Sequence, residues 1–211
     1  GFTGSLVIPD GVSIINEDAF LACSGFNGAL ILPKNLKEIK QSAFFGCSKL
    51  SGSLTIPNGV TAIGKSAFYG CEGFKGSLTL PSQLIYLESG AFNNCYGFTG
   101  PLTIPDGVKI IEEDVFSGCS SFNGSLKLPS GLTAIKSMAF NNCVRLKGTL
   151  NLPAELKSIG SWAFSNCSSI TALVIGEKLE RIDEYAFNYC RSIYNKIVFP
   201  ISLKSIKENA F

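Results

Sequence analysis

The residues of this chain with the greatest capacity for covalent or metal chemistry are eight cysteines. They follow one another at intervals of 24 residues, with a last step of 23, at Cys23, Cys47, Cys71, Cys95, Cys119, Cys143, Cys167 and Cys190. Zinc sites in proteins use closely spaced cysteine pairs or histidines. The chain has no histidine and no C-x-x-C pair. The spacing therefore predicts no metal site.

Disulfide bonds are the other chemistry that eight cysteines suggest. If equivalent residues stack on neighbouring turns of a coil, they lie about 4.8 Å apart and their side chains point the same way. Parallel Cβ atoms at that separation are slightly too distant for a disulfide bond. We expect a column of free thiols, each donating a weak S–H bond to a loop carbonyl, with some bridged pairs as the alternative.

Carboxylates also form short clusters, at Glu17-Asp18 and in the run 112–114. Two carboxylates side by side can serve as general acid and base. The chain lacks histidine, the commonest catalytic base, and acidic residues are also favoured at the start of a short helical turn. The sequence therefore predicts a protein that is not an enzyme and that uses no cofactor.

The 24-residue interval extends far beyond the cysteines. Phenylalanine recurs with the same period at Phe20, Phe44, Phe68, Phe92, Phe116, Phe140, Phe164, Phe187 and Phe211. Such self-similarity predicts a repeat architecture, in which each unit packs only on its neighbours. We expect a single solenoid over residues 1–211 with nine repeats of 23–24 residues and no capping sequence at either end. The repeats begin near residues 1, 25, 49, 73, 97, 121, 145, 169 and 192.

One repeat, residues 97–120, illustrates the elements that the pattern predicts. Leu102-Thr103-Ile104 alternates apolar and polar residues, as a short strand does, and Pro105 would end that strand. A turn at 106–107 leads to a second extended segment at 108–111. The acidic stretch 113–117 is typical of one helical or 3₁₀ turn.

Two columns of the repeat carry unusual surface residues. The position two residues before the periodic phenylalanine is polar or glycine in most repeats, but three successive repeats have Met138, Trp162 and Tyr185 there. A second candidate surface is the outward position of the first strand, which includes Lys127 and Asn151. Exposed aromatic clusters often mark binding surfaces, so both columns are candidate partner-binding sites.

Composition restricts the classes of partner. The formal net charge is only +2 and 16% of the residues are charged, which is too weak a field to favour nucleic acid. The apolar runs are far shorter than the roughly 20 residues that span a membrane. We therefore expect neither nucleic-acid binding nor membrane insertion by this segment.

The repeat resembles the BspA-type leucine-rich repeat, through Leu173, Ile175, Leu179 and Ile182 followed by the run 186–190, Ala-Phe-Asn-Tyr-Cys. Most units have one residue more than that type, in a Gly-Ser insert such as 52–53. The resemblance implies a right-handed, β-rich, leucine-rich-repeat-like solenoid with short parallel strands. It also implies a secreted or cell-surface protein, and the family has no catalytic residues to carry over.

The resemblance further suggests an adhesion module that binds protein partners, among them host extracellular-matrix or cell-surface proteins. A passive spacer that holds another domain away from the cell is an alternative. Glycan binding is a third hypothesis, although aromatic stacking platforms are few: Trp162, Tyr185, Tyr86 and Tyr69.

Overall fold

The computed structural model describes residues 2–211, and over this range the chain is a parallel β-solenoid without any helix. Each turn of the coil, called a rung here, contributes a first strand and a second strand, except the last rung, which has only a second strand. The first strands are β1 (Leu6–Val7), β3 (Leu30–Ile31), β5 (Gly52–Thr55), β7 (Phe74–Thr79), β9 (Leu102–Thr103), β11 (Leu126–Lys127), β13 (Gly148–Asn151) and β15 (Ile170–Val174). The second strands are β2 (Ile14–Ile15), β4 (Glu38–Ile39), β6 (Ala62–Ile63), β8 (Tyr86–Leu87), β10 (Ile110–Ile111), β12 (Ala134–Ile135), β14 (Ser158–Ile159), β16 (Arg181–Ile182) and β17 (Ser205–Ile206).

Alternation of side chains defines the first strands, as the sequence predicts. In β9, Leu102 is buried and Thr103 is exposed, and Ile104 beyond the strand is buried again. Pro105 follows, and its carbonyl oxygen accepts a hydrogen bond from the N–H of Val108 at 3.1 Å. This hydrogen-bonded turn leads the chain into the second extended segment, where the side chain of Ile111 is again buried in the core.

Strands of neighbouring rungs pair in parallel, with equivalent residues in register, as in Ile111 opposite Ile135. The second strands form a four-stranded sheet (β2-β4-β6-β8) and a five-stranded sheet (β10-β12-β14-β16-β17). The first strands pair only two by two. Neither strand ladder is therefore continuous along the solenoid.

The predicted helical or 3₁₀ turn does not form, and the reason lies in the backbone. Residues 113–118 form consecutive turns in which Asp114 has a φ of 57° and Gly118 a φ of 77°. A left-handed residue at each end prevents helical continuation. The N–H of Ser117 still bonds to the carbonyl of Asp114 at 3.2 Å, but the next amide, that of Gly118, bonds to Asn141 of the next rung instead of continuing a helix.

Alternate amides of these turns bond to the next rung, in what we call the turn ladder. The N–H of Asp114 donates to Ser137 O at 3.1 Å, that of Phe116 to Ala139 O at 2.9 Å, and that of Gly118 to Asn141 O at 2.8 Å. The phenylalanine amide makes this bond in every rung from Phe20 to Phe187. The turn ladder therefore connects all neighbouring rungs, including those whose strands do not pair.

The core beneath the turn ladder is a column of stacked rings. The periodic phenylalanines from Phe20 to Phe211 stack with centroids 5.1–5.6 Å apart and planes within 12° of parallel. Those from Phe44 to Phe164 have no exposed surface. Each ring contacts rings of the adjacent rungs, so most of its stabilisation depends on the neighbours.

The cysteines form a second column, and their thiols are free. Seven of them donate a hydrogen bond from Sγ to the phenylalanine carbonyl of the preceding rung, at 3.0–3.2 Å, as Cys95 does to Phe68. This confirms the predicted thiol-to-carbonyl contact. Burial raises the pKa of Cys119 to about 12 and that of Cys95 well above its usual value, so these thiols stay protonated at neutral pH.

Alkylation of the native protein tests this column. We expect iodoacetamide at about pH 8 to modify Cys23, which is partly exposed, and to react more slowly with Cys190, whose pKa burial raises to about 12. The six buried cysteines should stay unmodified until guanidinium unfolds the chain. Mass spectrometry of peptides gives the rates, and modification of Cys95 as fast as that of Cys23 would contradict the assignment.

Candidate partner-binding surface

The turn ladder fixes the backbone at the position two residues before each periodic phenylalanine. All nine residues there have a left-handed φ, between 51° and 65°. In six rungs the residue is small or polar: Asp18, Ser42, Ser66, Gly90, Asp114 and Asn209. Glycine, asparagine and aspartate accept this conformation more readily than other residues do. This column therefore has a structural reason for its usual composition.

Three successive rungs break that rule with bulky residues. Met138, Trp162 and Tyr185 have φ values of 56°, 61° and 57°. An L residue in this region brings Cβ close to the following carbonyl oxygen, at a cost of about 1–2 kcal/mol. Each of the three residues is therefore held in a conformation that its side chain disfavours.

The three side chains, which we call the apolar ridge, lie on the turn side of the solenoid. The indole of Trp162 stacks on the ring of Tyr185 with centroids 4.3 Å apart and planes at 14°. Both rings are half-buried, and Met138 is 39% exposed. The structure thus brings the sequence-predicted residues together in one continuous ridge.

Lys127 and Asn151 lie on a different side of the coil. They are the exposed last residues of the first strands β11 and β13, and the second strand separates them from the ridge along each rung. Lys127 pairs with Thr103 and Asn151 with Val174, but β11 and β13 do not pair with each other. These two residues therefore belong to a second surface.

A third surface, which is apolar, was not predicted from the sequence. The N–H groups of Thr133 and Lys136 bond to Lys109 O and Ile111 O, whereas the equivalent amides of Lys109 and Glu112 find no carbonyl within residues 2–211. This opening between β8 and β10 is a cleft of about 520 Å³ lined by Ile85, Tyr86 and Ile110, among others. The signal in the sequence is Ile85, an apolar residue at a position that is polar in the other eight rungs, followed by the large ring of Tyr86.

The carboxylate clusters have a structural explanation. Asp18 and Asp114 occupy the left-handed column, where aspartate is readily accommodated. Burial raises the pKa of the Asp114 carboxyl above its ordinary value. Within the part of the chain that the structure describes, no group of three or more cysteine, aspartate or glutamate residues is arranged to hold a metal ion. That part also contains no helix long and apolar enough to cross a membrane.

Comparison with known families now identifies the repeat. The family model described as "BspA type Leucine rich repeat region (6 copies)" matches residues 3–120 and 99–211, which together span nearly the whole chain. The chain belongs to the BspA-type leucine-rich repeat family. This confirms the resemblance and the β-solenoid that the sequence predicts. No match is found among proteins of curated function.

Solved structures of bacterial leucine-rich repeat proteins share the fold. A leucine-rich repeat protein of T. pallidum, TpLRR, is 26% identical over 77% of this chain and 76% of its own, with a TM-score of 0.67. One from Bacteroides ovatus is 23% identical over 96% and 74%, with a TM-score of 0.60. The pneumococcal vaccine antigen PcpA is 20% identical, with a TM-score of 0.53; the match covers 98% of this chain and 56% of PcpA.

Reciprocal substitutions in the left-handed column test the strain at the ridge. We expect Met138→Asn to raise the free energy of unfolding by about 1 kcal/mol, because asparagine accepts a positive φ more readily than methionine. The reverse change in an ordinary rung, Asp18→Met, should lower it by a similar amount, because aspartate is among the residues that accept a positive φ. Urea unfolding measures both, and a destabilised Met138→Asn together with a neutral Asp18→Met would show that the column imposes no such strain.

Proposed function

We propose that this chain is a non-catalytic, cell-surface or secreted interaction module that binds a protein partner through the apolar ridge. The observation that carries the proposal is the placement of Met138, Trp162 and Tyr185, in three consecutive rungs, at a backbone position that disfavours them. Strained residues that persist in a fold cluster at functional sites, because the site retains them against their cost in stability. A ridge of this kind is unnecessary for the turn ladder, because polar residues or glycine occupy the position in the other six rungs.

The chemistry of the ridge suits protein recognition. Tryptophan, tyrosine and methionine are enriched in protein interfaces, and tryptophan and tyrosine dominate their binding energy. The stack between Trp162 and Tyr185 holds both rings in place before a partner arrives, which reduces the entropy lost on binding. Lys127 and Asn151 offer a separate polar surface for a second contact.

The family supports a location outside the cell and a role in adhesion. Leucine-rich repeat solenoids present extended surfaces that bind other proteins. The pneumococcal vaccine antigen PcpA shares the fold. Host extracellular-matrix and cell-surface proteins are therefore the first partners to test. The alternative is a passive spacer, for which no surface residue matters.

A binding assay with matched variants tests the ridge. The chain is immobilised and presented with a panel of extracellular-matrix and cell-surface proteins, beside Trp162→Asn and Tyr185→Asn, which keep a residue that tolerates the left-handed backbone. We expect each variant to weaken capture at least about 30-fold, as hot-spot residues do, while Ser66→Asn in the same column binds like the parent.

Two results would overturn the proposal. If a partner is captured equally by the parent and both ridge variants, the ridge is not its contact surface, and Lys127→Glu then tests the strand surface. If the folded chain captures no protein of the panel at all, the result favours the spacer.

A further inference from the structure

A polar groove lies beside the apolar ridge, and its composition differs from that of the ridge. It has a volume of about 540 Å³, and we call it the amide groove. Trp162 lines one side of it, and the other residues lie on the turns that follow the periodic phenylalanines. They are Asn141, Asn142, Ser165, Asn166, Ser168, Tyr189 and Arg191.

The floor of the amide groove is a pair of side-chain amides. Asn166 Nδ2 donates to Asn142 Oδ1 at 2.9 Å. Within residues 2–211 this leaves the Nδ2 donors of Asn142 and the Oδ1 acceptor of Asn166 without a protein partner. Donors and an acceptor side by side match the hydroxyl groups of a sugar, each of which both donates and accepts.

The amide pair is particular to these rungs. Both asparagines occupy a second left-handed column, two residues after the periodic phenylalanine, where other rungs have Gly46, Gly70 and Gly118. Asn94 also lies in this column, but its Nδ2 is taken by the hydroxyl of Tyr69 at 3.2 Å. Only the Asn142–Asn166 pair therefore presents its amides to a shared groove.

Tyr189 and Arg191 supply an aromatic wall and a positive charge. Tyr189 continues the same column with a φ of 59°, unfavourable for its bulk, and it is 53% exposed. The guanidinium of Arg191 lies 4.9 Å from the centre of the Tyr189 ring. No aspartate or glutamate lines the groove, and Arg191 forms no ion pair within residues 2–211. The groove therefore attracts a negatively charged group.

We propose that the amide groove binds an acidic saccharide. The carboxylate of the sugar pairs with the Arg191 guanidinium, whose planar fork suits a carboxylate. The sugar hydroxyls bond to the amides of Asn142 and Asn166, and Tyr189 packs against the ring. A peptide fits less well, because the lining has five asparagine or serine side chains and no aliphatic one to receive an apolar residue. The saccharide would contact the apolar ridge only through Trp162.

Binding of defined oligosaccharides to the whole chain tests this proposal. Calorimetry or NMR titration compares sialyllactose and a hyaluronan tetrasaccharide, which carry carboxylates, with lactose, which does not. We expect at least one acidic sugar to bind and lactose to bind about tenfold more weakly or not at all. Hexaglutamate is the control for an acidic peptide.

Variants that respect the backbone locate the site. Arg191→Gln and the double variant Asn142→Gly with Asn166→Gly should each weaken binding of the acidic sugar by about tenfold or more. Glycine is compatible with the left-handed positions. The matched controls, Arg145→Gln and Asn94→Gly, remove the same groups elsewhere and should bind like the parent.

Each remaining outcome contradicts the proposal. It fails if neither acidic sugar binds, or if the groove variants bind as well as the parent. Equal binding of hexaglutamate, insensitive to the asparagine variants, would mark a general anion site or a peptide site instead. These results are independent of the ridge, because none of the variants alters Met138, Trp162 or Tyr185 and no protein partner is used.

Discussion

The constraint on which the rest of the structure depends is the backbone hydrogen bonding between successive turns. The strand ladders are interrupted: the first strands pair only two by two, and the second strands separate between β8 and β10. The turn ladder is not interrupted, because the phenylalanine amide of each rung bonds to the next one from Phe20 to Phe187. To direct amides both within the turn and across to the next rung, the chain needs a left-handed residue on each side of the phenylalanine, in place of a helical turn.

This requirement separates the side chains into two groups. Leucine, isoleucine, phenylalanine and cysteine point inward and form columns whose members contact their equivalents, so a rung isolated from its neighbours would lose both its hydrogen bonds and most of its packing. The left-handed residues point outward and are chosen by the backbone alone unless a ligand contributes. Where a bulky residue such as Trp162 or Tyr189 stands there, the backbone gives no reason for it, and the proposed contacts with a partner and a saccharide would supply one.

The sequence predicts much of this architecture and misses a definable part. The 24-residue period, the inward Leu102 and Ile104, the stacked phenylalanines and the thiol-to-carbonyl contact all follow from spacing and polarity. The prediction of a helical turn at 113–117 was wrong. It rested on the preference of acidic residues for the start of a helix. The recurrence of aspartate, serine, glycine and asparagine two residues before each periodic phenylalanine was the better signal, because it indicates a left-handed backbone. The prediction of the ridge residues came from comparing equivalent positions in successive repeats.

The amide groove was not predicted, because asparagine is common in these turns and only the structure shows that Asn142 and Asn166 are paired. The opening between Tyr86 and Ile110 was also missed, and its one mark in the sequence is Ile85, which is apolar where the other rungs have polar residues.

Amide hydrogen exchange followed by NMR tests the central role of the turn ladder most directly. The account predicts that the amides of Phe92, Phe116 and Phe140 exchange with one common free energy, equal to that of global unfolding, because these central rungs open together. The amides of Lys109 and Glu112, in the same region but at the open junction, should exchange much faster. Exchange of Phe116 at a clearly lower free energy than Phe92 and Phe140 would contradict the account, because it would show that rungs open singly and that the turn ladder does not hold them together.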